Sequence, residues 1–285
     1  MERAGSIAPE PNNDPASLGS YAPDPGGTPQ TRVPKILERG YLIVGIAQSQ
    51  NLLSFQDFST GEMNGFEVDL AREVARDIFG DPTKVDFRFI DATSQVTALE
   101  NGSVDIILNA LSITRARRDQ LAFSTPYFVA QTQLLTLNNS SIQSFSDLDG
   151  KTVCAVMDST GLQRARAYAP HSDILKVRTW ADCLIALQQN QTDAIISDNT
   201  ILAGMISQDP TTRMVPGAVS QENYGIGIAS PSSRHDTMGL IRQVNSTIER
   251  IRRNGQWKTL YDKWFAKYLG EDPTLPPISY RQERS

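Results

Sequence analysis

The sequence predicts a two-lobed α/β protein, each lobe a mostly parallel sheet flanked by helices, with a two-strand hinge between them. Two observations carry this reading. A strand–helix–strand–helix–strand pattern occurs twice along the chain, the signature of sheets with helices on their faces. In addition, 285 residues are more than one hydrophobic core usually holds.

In the first unit, Tyr41–Ala47 has strand length and strand composition. Phe66, Leu70, Ala71, Val74, Ile78 and Phe79 then recur at helical spacing, and Gly80 and Pro82 stop that helix. Alternating Val85, Phe87 and Phe89 indicate a strand, Val96–Glu100 a short helix, and Val104–Leu108 a buried strand. The second unit repeats the order, with strands at Thr152–Val156, Ile174–Val177 and Ala194–Ser197. Its helices fall at Leu162–Ala169, Trp180–Gln189 and Ile201–Ser207. Pro126-Tyr127-Phe128 and Glu222-Asn223-Tyr224 are the expected crossings between the two units. Two more helical stripes follow, one apolar from Leu240 to Ile251 and one aromatic through Trp257, Tyr261, Trp264 and Phe265. Core packing is the expected use of those aromatics.

The first thirty residues carry Pro9, Pro11, Pro15, Pro23, Pro25 and Pro29 and very few apolar residues. Such a segment buries too little surface to offset its ordering entropy, so residues 1–32 are expected to form a disordered tether. Residues 271–285, with Pro273, Pro276 and Pro277, are expected to form an open tail. The N-terminus lacks a charged segment followed by an apolar one, so no export signal is expected on this chain. Met1 is taken to stand where a removed signal was.

Lys and Arg total 27 against 32 Asp and Glu, a net charge of −5. Nucleic-acid binding would call for a basic face, so no nucleic-acid partner is expected. Two histidines and two cysteines, widely spaced, suggest neither a metal site nor a cofactor. No stretch approaches the roughly 18–20 apolar residues of a membrane span.

Open parallel sheets bind ligands beyond the carboxyl ends of their strands, and three such ends hold suitable groups. After Val104–Leu108 come Asn109, Ala110, Ser112 and Thr114, then Arg115, Arg117 and Arg118. Arginines in a first helical turn face an already positive dipole, a local conflict that a bound anion would resolve. Paired surface arginines are the plainer alternative. After Thr152–Val156, Met157-Asp158-Ser159-Thr160-Gly161 leads into a helix whose first N–H groups could face an anion. After Ala194–Ser197 stands Asp198, either a helix N-cap or the partner of a ligand ammonium. A guanidinium, N–H groups and a carboxylate together complement a zwitterion.

Several short motifs in order strengthen this. Gly65-Phe66-Glu67-Val68-Asp69-Leu70, Leu111-Ser112-Ile113-Thr114 with Arg117, Phe123-Ser124-Thr125-Pro126-Tyr127, Asp193-Ala194 with Asp198, and Asn254-Gly255 through Lys263-Trp264-Phe265 resemble the polar amino-acid-binding proteins of ABC importers. These have the type II periplasmic-binding fold, and the resemblance spans about Val33 to Gly270. It is greatest to the actinobacterial glutamate/glutamine-binding branch, typically lipoproteins.

The resemblance implies an extracytoplasmic, non-enzymatic, monomeric protein that is lipid-anchored to the outer face of the membrane. Its partners would be a free L-amino acid (glutamate, glutamine, aspartate or asparagine) and a membrane permease. It implies that Arg117 and Ser112 bind the α-carboxylate with backbone groups near Ala110, that Thr160 and Gly161 supply N–H donors, and that Asp198 binds the ammonium. Phe55 is the candidate aromatic cover for the ligand side chain. Met157 stands where relatives often have a cation, leaving Arg115 or Arg164 to compensate. The first lobe is expected to be discontinuous, residues 33–131 plus 222–270, with 132–221 as the second. In an extracytoplasmic setting Cys154 and Cys183 are expected to pair as a disulfide. A sensor module binding the same ligand, or an enzyme on the same fold, are the alternatives. An enzyme would need a positioned acid or base, which His171 and His235 do not suggest.

Overall fold

A computed structural model describes residues 1–3, 19–232 and 234–282. Two sheets form its frame. The first has five strands in the order Val85–Phe89, Leu42–Ile46, Ile106–Leu108, Gly227–Ala229, Leu121–Phe123. Its first three strands are parallel, and the last two join antiparallel. Leu42–Ile46 is buried along its whole length because it lies between parallel neighbours with helices on the sheet faces. The second sheet orders Glu2–Arg3, Asp173–Val177, Thr152–Val156, Ala194–Asp198, Phe128–Leu137 and Thr212–Tyr224. It too has a parallel centre and antiparallel edges, so both sheets are mixed.

The helix Phe66–Phe79 packs nine of its residues into the interior, including Phe66, Leu70 and Val74. Gly65 precedes it with φ 131, and a Cβ there would lie 2.1 Å from the Leu53 carbonyl oxygen, so only glycine fits. Gly80 ends it in the left-handed conformation.

The expected crossings are where the chain passes between the sheets. Phe128–Leu137 and Thr212–Tyr224 pair antiparallel from Phe128↔Tyr224 to Leu137↔Thr212, with an irregularity between Val215 and Ser220. The C-terminal helices Met238–Arg253 and Gln256–Trp264 pack against the helix Phe66–Phe79, which covers the first sheet. The aromatic stripe is core, as expected. Trp257, Tyr261 and Phe265 surround Phe128 at centroid distances of 5.9, 6.0 and 5.4 Å. The indole of Trp257 donates to the Tyr127 carbonyl at 2.7 Å.

Two expectations about the ends need correction. From Gly19 the N-terminal segment is docked: the Ser20 hydroxyl donates to the Phe123 carbonyl, and Asn245 donates to Ser20 and to the Tyr21 carbonyl. Pro29–Arg32 is helical. Residues 4–18 of the expected tether lie outside the described residues. The C-terminal tail is docked as well. Tyr280 donates to Glu249 at 2.6 Å and Ser279 N–H to Thr125 at 3.0 Å. Backbone bonds between Ser20 and Ser279 and between Arg281 and Ser20 tie the two ends together. Prolines lower the ordering entropy of such extended segments, so few side-chain anchors suffice to hold them.

Cys154 and Cys183 form a disulfide, as expected, linking the strand Thr152–Val156 to the helix Trp180–Gln188. With a sequence separation of 29, the loop-closure argument gives about 3–4 kcal/mol of stabilisation.

Candidate functional site: a cleft between the two sheets

The carboxyl ends of both parallel centres open on one cleft of about 310 Å³. Ala110, Asn109 and Arg117 line it from the first sheet's side; Ser159, Thr160, Gly161, Trp180 and Asp198 line it from the second.

Arg117 lies in a single helical turn, Arg115–Arg118, whose N-cap Thr114 accepts from the Arg117 N–H at 3.2 Å. Its guanidinium donates to the Ser112 carbonyl at 2.9 Å, which fixes its direction. It also reaches across to the Asp158 carbonyl at 3.3 Å. Burial lowers its pKa from the usual arginine range, opposed by the nearby charges of Glu222 and Asp198. The other two arginines of the turn have separate positions. Arg118 donates to the Gly19 carbonyl at 2.7 Å, and Arg115 is exposed.

On the opposite wall, Ser159 caps the helix Thr160–Tyr168 by accepting from the Leu162 N–H at 3.1 Å. The first N–H groups of a helix have no intrahelical acceptor, so those of Thr160 and Gly161 are suited to an anion. A Cβ on Gly161 would lie 2.9 Å from the Ile196 carbonyl oxygen, so the glycine lets the helix start close against the strand. Ser112, buried, meets Thr160 across the cleft with hydroxyl oxygens 3.5 Å apart.

Asp198 is not used as a helix cap. It occupies an N-cap position, yet its side chain makes no cap hydrogen bond. Instead it is buried and accepts from Tyr224 at 2.7 Å and Thr132 at 3.1 Å, both on the crossing strands. Burial, then the charge of Glu222, pushes its pKa up to about 7; the bonds from Tyr224 and Thr132 and the charge of Arg164 oppose this. Glu222 is itself held by Arg164 in a buried ion pair, with Arg164 Nη2 at 3.0 Å and Nε at 3.2 Å from one carboxylate oxygen.

Two left-handed non-glycine residues flank the cleft, Ala110 with φ 46 and Asp158 with φ 58. Residues held in that region mark sites where the surroundings impose the backbone. The support for Ala110 is Glu67, fully buried, which accepts from the Ala110 N–H at 2.7 Å and from the Tyr127 hydroxyl at 2.5 Å. Burial raises the Glu67 pKa to about 7 against those two bonds.

The cleft therefore unites Ala110, Arg117, Thr160, Gly161 and Asp198, with Ser112 in contact with Arg117 and Thr160. It does not include Phe55 or Met157. Phe55 lies in the strand Ser54–Gln56 and packs edge-on against Trp264 at 6.0 Å. A left-handed Leu52 reverses the chain ahead of it, which carries the ring away from the cleft. Met157 continues the parallel ladder through its N–H to the Val177 carbonyl at 3.0 Å, and its side chain is not among the lining groups. Arg164 is committed to Glu222 and does not line the cleft. The residues missed by sequence reasoning are Arg178, Trp180, Phe89 and Gln50, all lining the cleft. Arg178 and Trp180 follow directly on the strand Asp173–Val177, a carboxyl end of the same kind as the three already singled out.

Two α/β lobes joined by paired strands, with an arginine, helix N–H groups and a carboxylate facing one cleft, define the class of two-lobed ligand-binding proteins with the type II periplasmic-binding fold. This chain belongs to the bacterial extracellular solute-binding proteins, family 3, whose profile matches residues 42–267. It is 36% identical over 202 residues to a glutamine-binding protein of Geobacillus stearothermophilus, covering 70% of this chain and 77% of that one. To the ABC transporter glutamine-binding protein GlnH of Bacillus subtilis it is 30% identical over 239 residues, 84% of each chain. Relatives named for glutamate and for L-cystine match at 29% and 28%. Among solved structures, an ancestral arginine-binding protein bound to glutamine superposes with a TM-score of 0.71 at 30% identity, covering 80% of this chain and 98% of that one.

Proposed function

We propose that this protein captures one free polar or acidic amino acid (glutamine, glutamate, asparagine or aspartate) and delivers it to the membrane permease of an ABC importer. The observation that carries this reading is the arrangement of Arg117 and Asp198 on opposite walls of one cleft. Arg117, the Ser112 hydroxyl, backbone groups near Ala110 and the Thr160 and Gly161 N–H groups receive the α-carboxylate; Asp198 receives the α-ammonium. In this reading residues 33–131 with 222–270 form one jaw and 132–221 the other. Only a ligand that touches both jaws shifts the equilibrium toward the closed form. The role is binding without catalysis: neither His171 nor His235 lines the cleft. A monomer, lipid-anchored on the outer face of the membrane, completes the proposal.

The test is calorimetric titration of ligand-stripped protein with Gln, Glu, Asn and Asp from about pH 5.5 to about pH 8. At least one should bind at micromolar affinity or tighter. Asp198 must be ionised to meet an ammonium, so binding lowers its pKa from about 7 and releases a proton below that pH. Affinity should rise by roughly tenfold per pH unit up to about 7 and then level off. Silence with all four amino acids would overturn the reading.

A further inference from the structure

Beside the cleft, a contact joins the two walls without lining the cavity. On the first wall the turn Gln50–Leu53 is closed by the Leu53 N–H, which donates to the Gln50 carbonyl at 3.1 Å. Leu52 sits in this turn with φ 68, a left-handed conformation uncommon for a bulky side chain. Its carbonyl accepts from the Phe66 N–H at 2.8 Å and the Leu53 carbonyl from the Glu67 N–H at 2.9 Å, so the turn is fixed to the start of the helix Phe66–Phe79. Asn51, in the same turn, meets the helix Asn199–Gln208 of the second wall twice. Its carbonyl lies so close to Gly204 that a Cβ there would be 2.2 Å from the oxygen and 3.0 Å from the carbon. Its side-chain Nδ2 donates to the Ser207 hydroxyl oxygen at 2.9 Å, and that hydroxyl donates in turn to the Gly204 carbonyl at 2.7 Å. Glycine is disfavoured relative to alanine inside a helix, so the approach of Asn51 accounts for Gly204 where helix propensity does not. Ser49, Gln50, Trp180 and Ile201 line both the cleft and the gap of about 10 Å³ beside Asn51. Parting the walls of the cleft therefore parts this contact as well.

We propose that Asn51, Gly204 and Ser207 form a latch between the jaws, made when the cleft closes, which sets ligand affinity without touching the ligand. This rests on the two-jaw amino-acid reading above and deepens it. None of the three residues lines the cleft, so they are positioning residues that act through the jaw equilibrium. A contact made only in the closed form lowers the free energy of that form alone, and the ligand's apparent affinity rises with the closed population. The left-handed Leu52 holds the Asn51 carbonyl in place before the jaws meet, a strain of the kind that marks residues set by their surroundings. A contact kept in both open and closed forms would instead support the fold and leave affinity unchanged. The two cases differ in sign at Gly204. Alanine there improves the helix by itself, so with the jaws apart it should not harm stability. With the jaws together its methyl group meets the Asn51 carbonyl, a backbone atom that cannot rotate away.

The experiment is calorimetric titration of the full chain, native, Gly204→Ala, Asn51→Ala and Ser207→Ala, beside thermal unfolding of each without ligand. The probe is whichever of L-glutamine, L-glutamate, L-asparagine and L-aspartate binds the native chain most tightly. Gly204→Ala should weaken binding by about tenfold or more, while its ligand-free melting temperature stays within about 2 °C of native or rises. Asn51→Ala and Ser207→Ala should each weaken binding by about three- to tenfold, the range of one hydrogen bond. The double variant should lose no more than the larger single one, because both changes remove the same bond. Affinity within about twofold of native in Asn51→Ala and Ser207→Ala would overturn the latch, whether or not Gly204→Ala folds. So would a ligand-free melting temperature that falls in step with affinity, since the contact would then belong to the open form too. Either result with tight binding by the native chain leaves the amino-acid clamp standing. Silence of the native chain with all four amino acids overturns the clamp and the latch together.

Discussion

Replacing Arg117 with alanine should weaken amino-acid binding by about 30-fold to several thousand-fold while leaving the protein folded. The guanidinium is held at the cleft by the Ser112 carbonyl and stands among the charges of Glu222, Asp198 and Asp158. Removing it leaves a bound carboxylate without its counter-ion in a partly desolvated cleft. Truncating one partner of such a pair costs about 2–5 kcal/mol, which corresponds to the stated range. Arg117→Lys should recover only part of the loss, because an ammonium lacks the planar fork that reaches two oxygens at once. Titration of each variant beside a far-ultraviolet melt separates lost affinity from lost structure. An affinity within about threefold of native for Arg117→Ala would remove Arg117 from the site.

A second large effect is expected in stability, at the Arg164–Glu222 pair. Both side chains are buried, at 3% and 0% exposure, and the pair joins the helix Thr160–Tyr168 to the crossing strand Thr212–Tyr224. Ser220 adds a hydrogen bond to the same carboxylate oxygen at 3.1 Å. Arg164→Met leaves Glu222 charged without its guanidinium, a change that typically costs about 3–5 kcal/mol. Adding Glu222→Gln should recover at least half of that cost, because the residual buried charge is the larger part of the penalty. Urea denaturation of the single and double variants reads both numbers. A single variant within about 1 kcal/mol of native would show that the pair has little energetic weight.

The parts of the fold visible in the sequence are those with a strong local period. The amphipathic pattern of Phe66–Phe79 and the apolar runs Leu42–Ile46 and Ile106–Leu108 are set by burial on both sheet faces. The antiparallel edges were harder to see. Phe128–Leu137 interleaves buried and half-exposed positions irregularly, and its pairing with Thr212–Tyr224 spans some eighty residues of chain that no local pattern connects. The docked ends were missed because their anchors, such as Asn245 with Ser20 and Tyr280 with Glu249, are long-range single hydrogen bonds.

The same distinction holds at the site. Asp198 follows directly on a predicted strand, and Arg117, Thr160 and Gly161 lie in the segments that leave two other strand ends, so topology brings them to one end of the sheets. Phe55 follows a turn instead of a strand end, and the left-handed Leu52 redirects it. Arg178 and Trp180 lie at a fourth strand end. Trp180 reads from sequence as the start of the helix Trp180–Gln188, a place that needs no ligand to explain it.

The central claim is that the cleft recognises both ends of a zwitterion, one on each wall. Its most direct test is calorimetric titration of the ligand-stripped protein with L-glutamine, N-acetyl-L-glutamine and the α-methyl ester of glutamine. L-glutamine should bind at micromolar affinity or tighter, and either block should weaken it by about a hundredfold or more, because each leaves Asp198 or Arg117 without its charged partner. Binding of either blocked compound within a few-fold of L-glutamine would contradict the two-walled site.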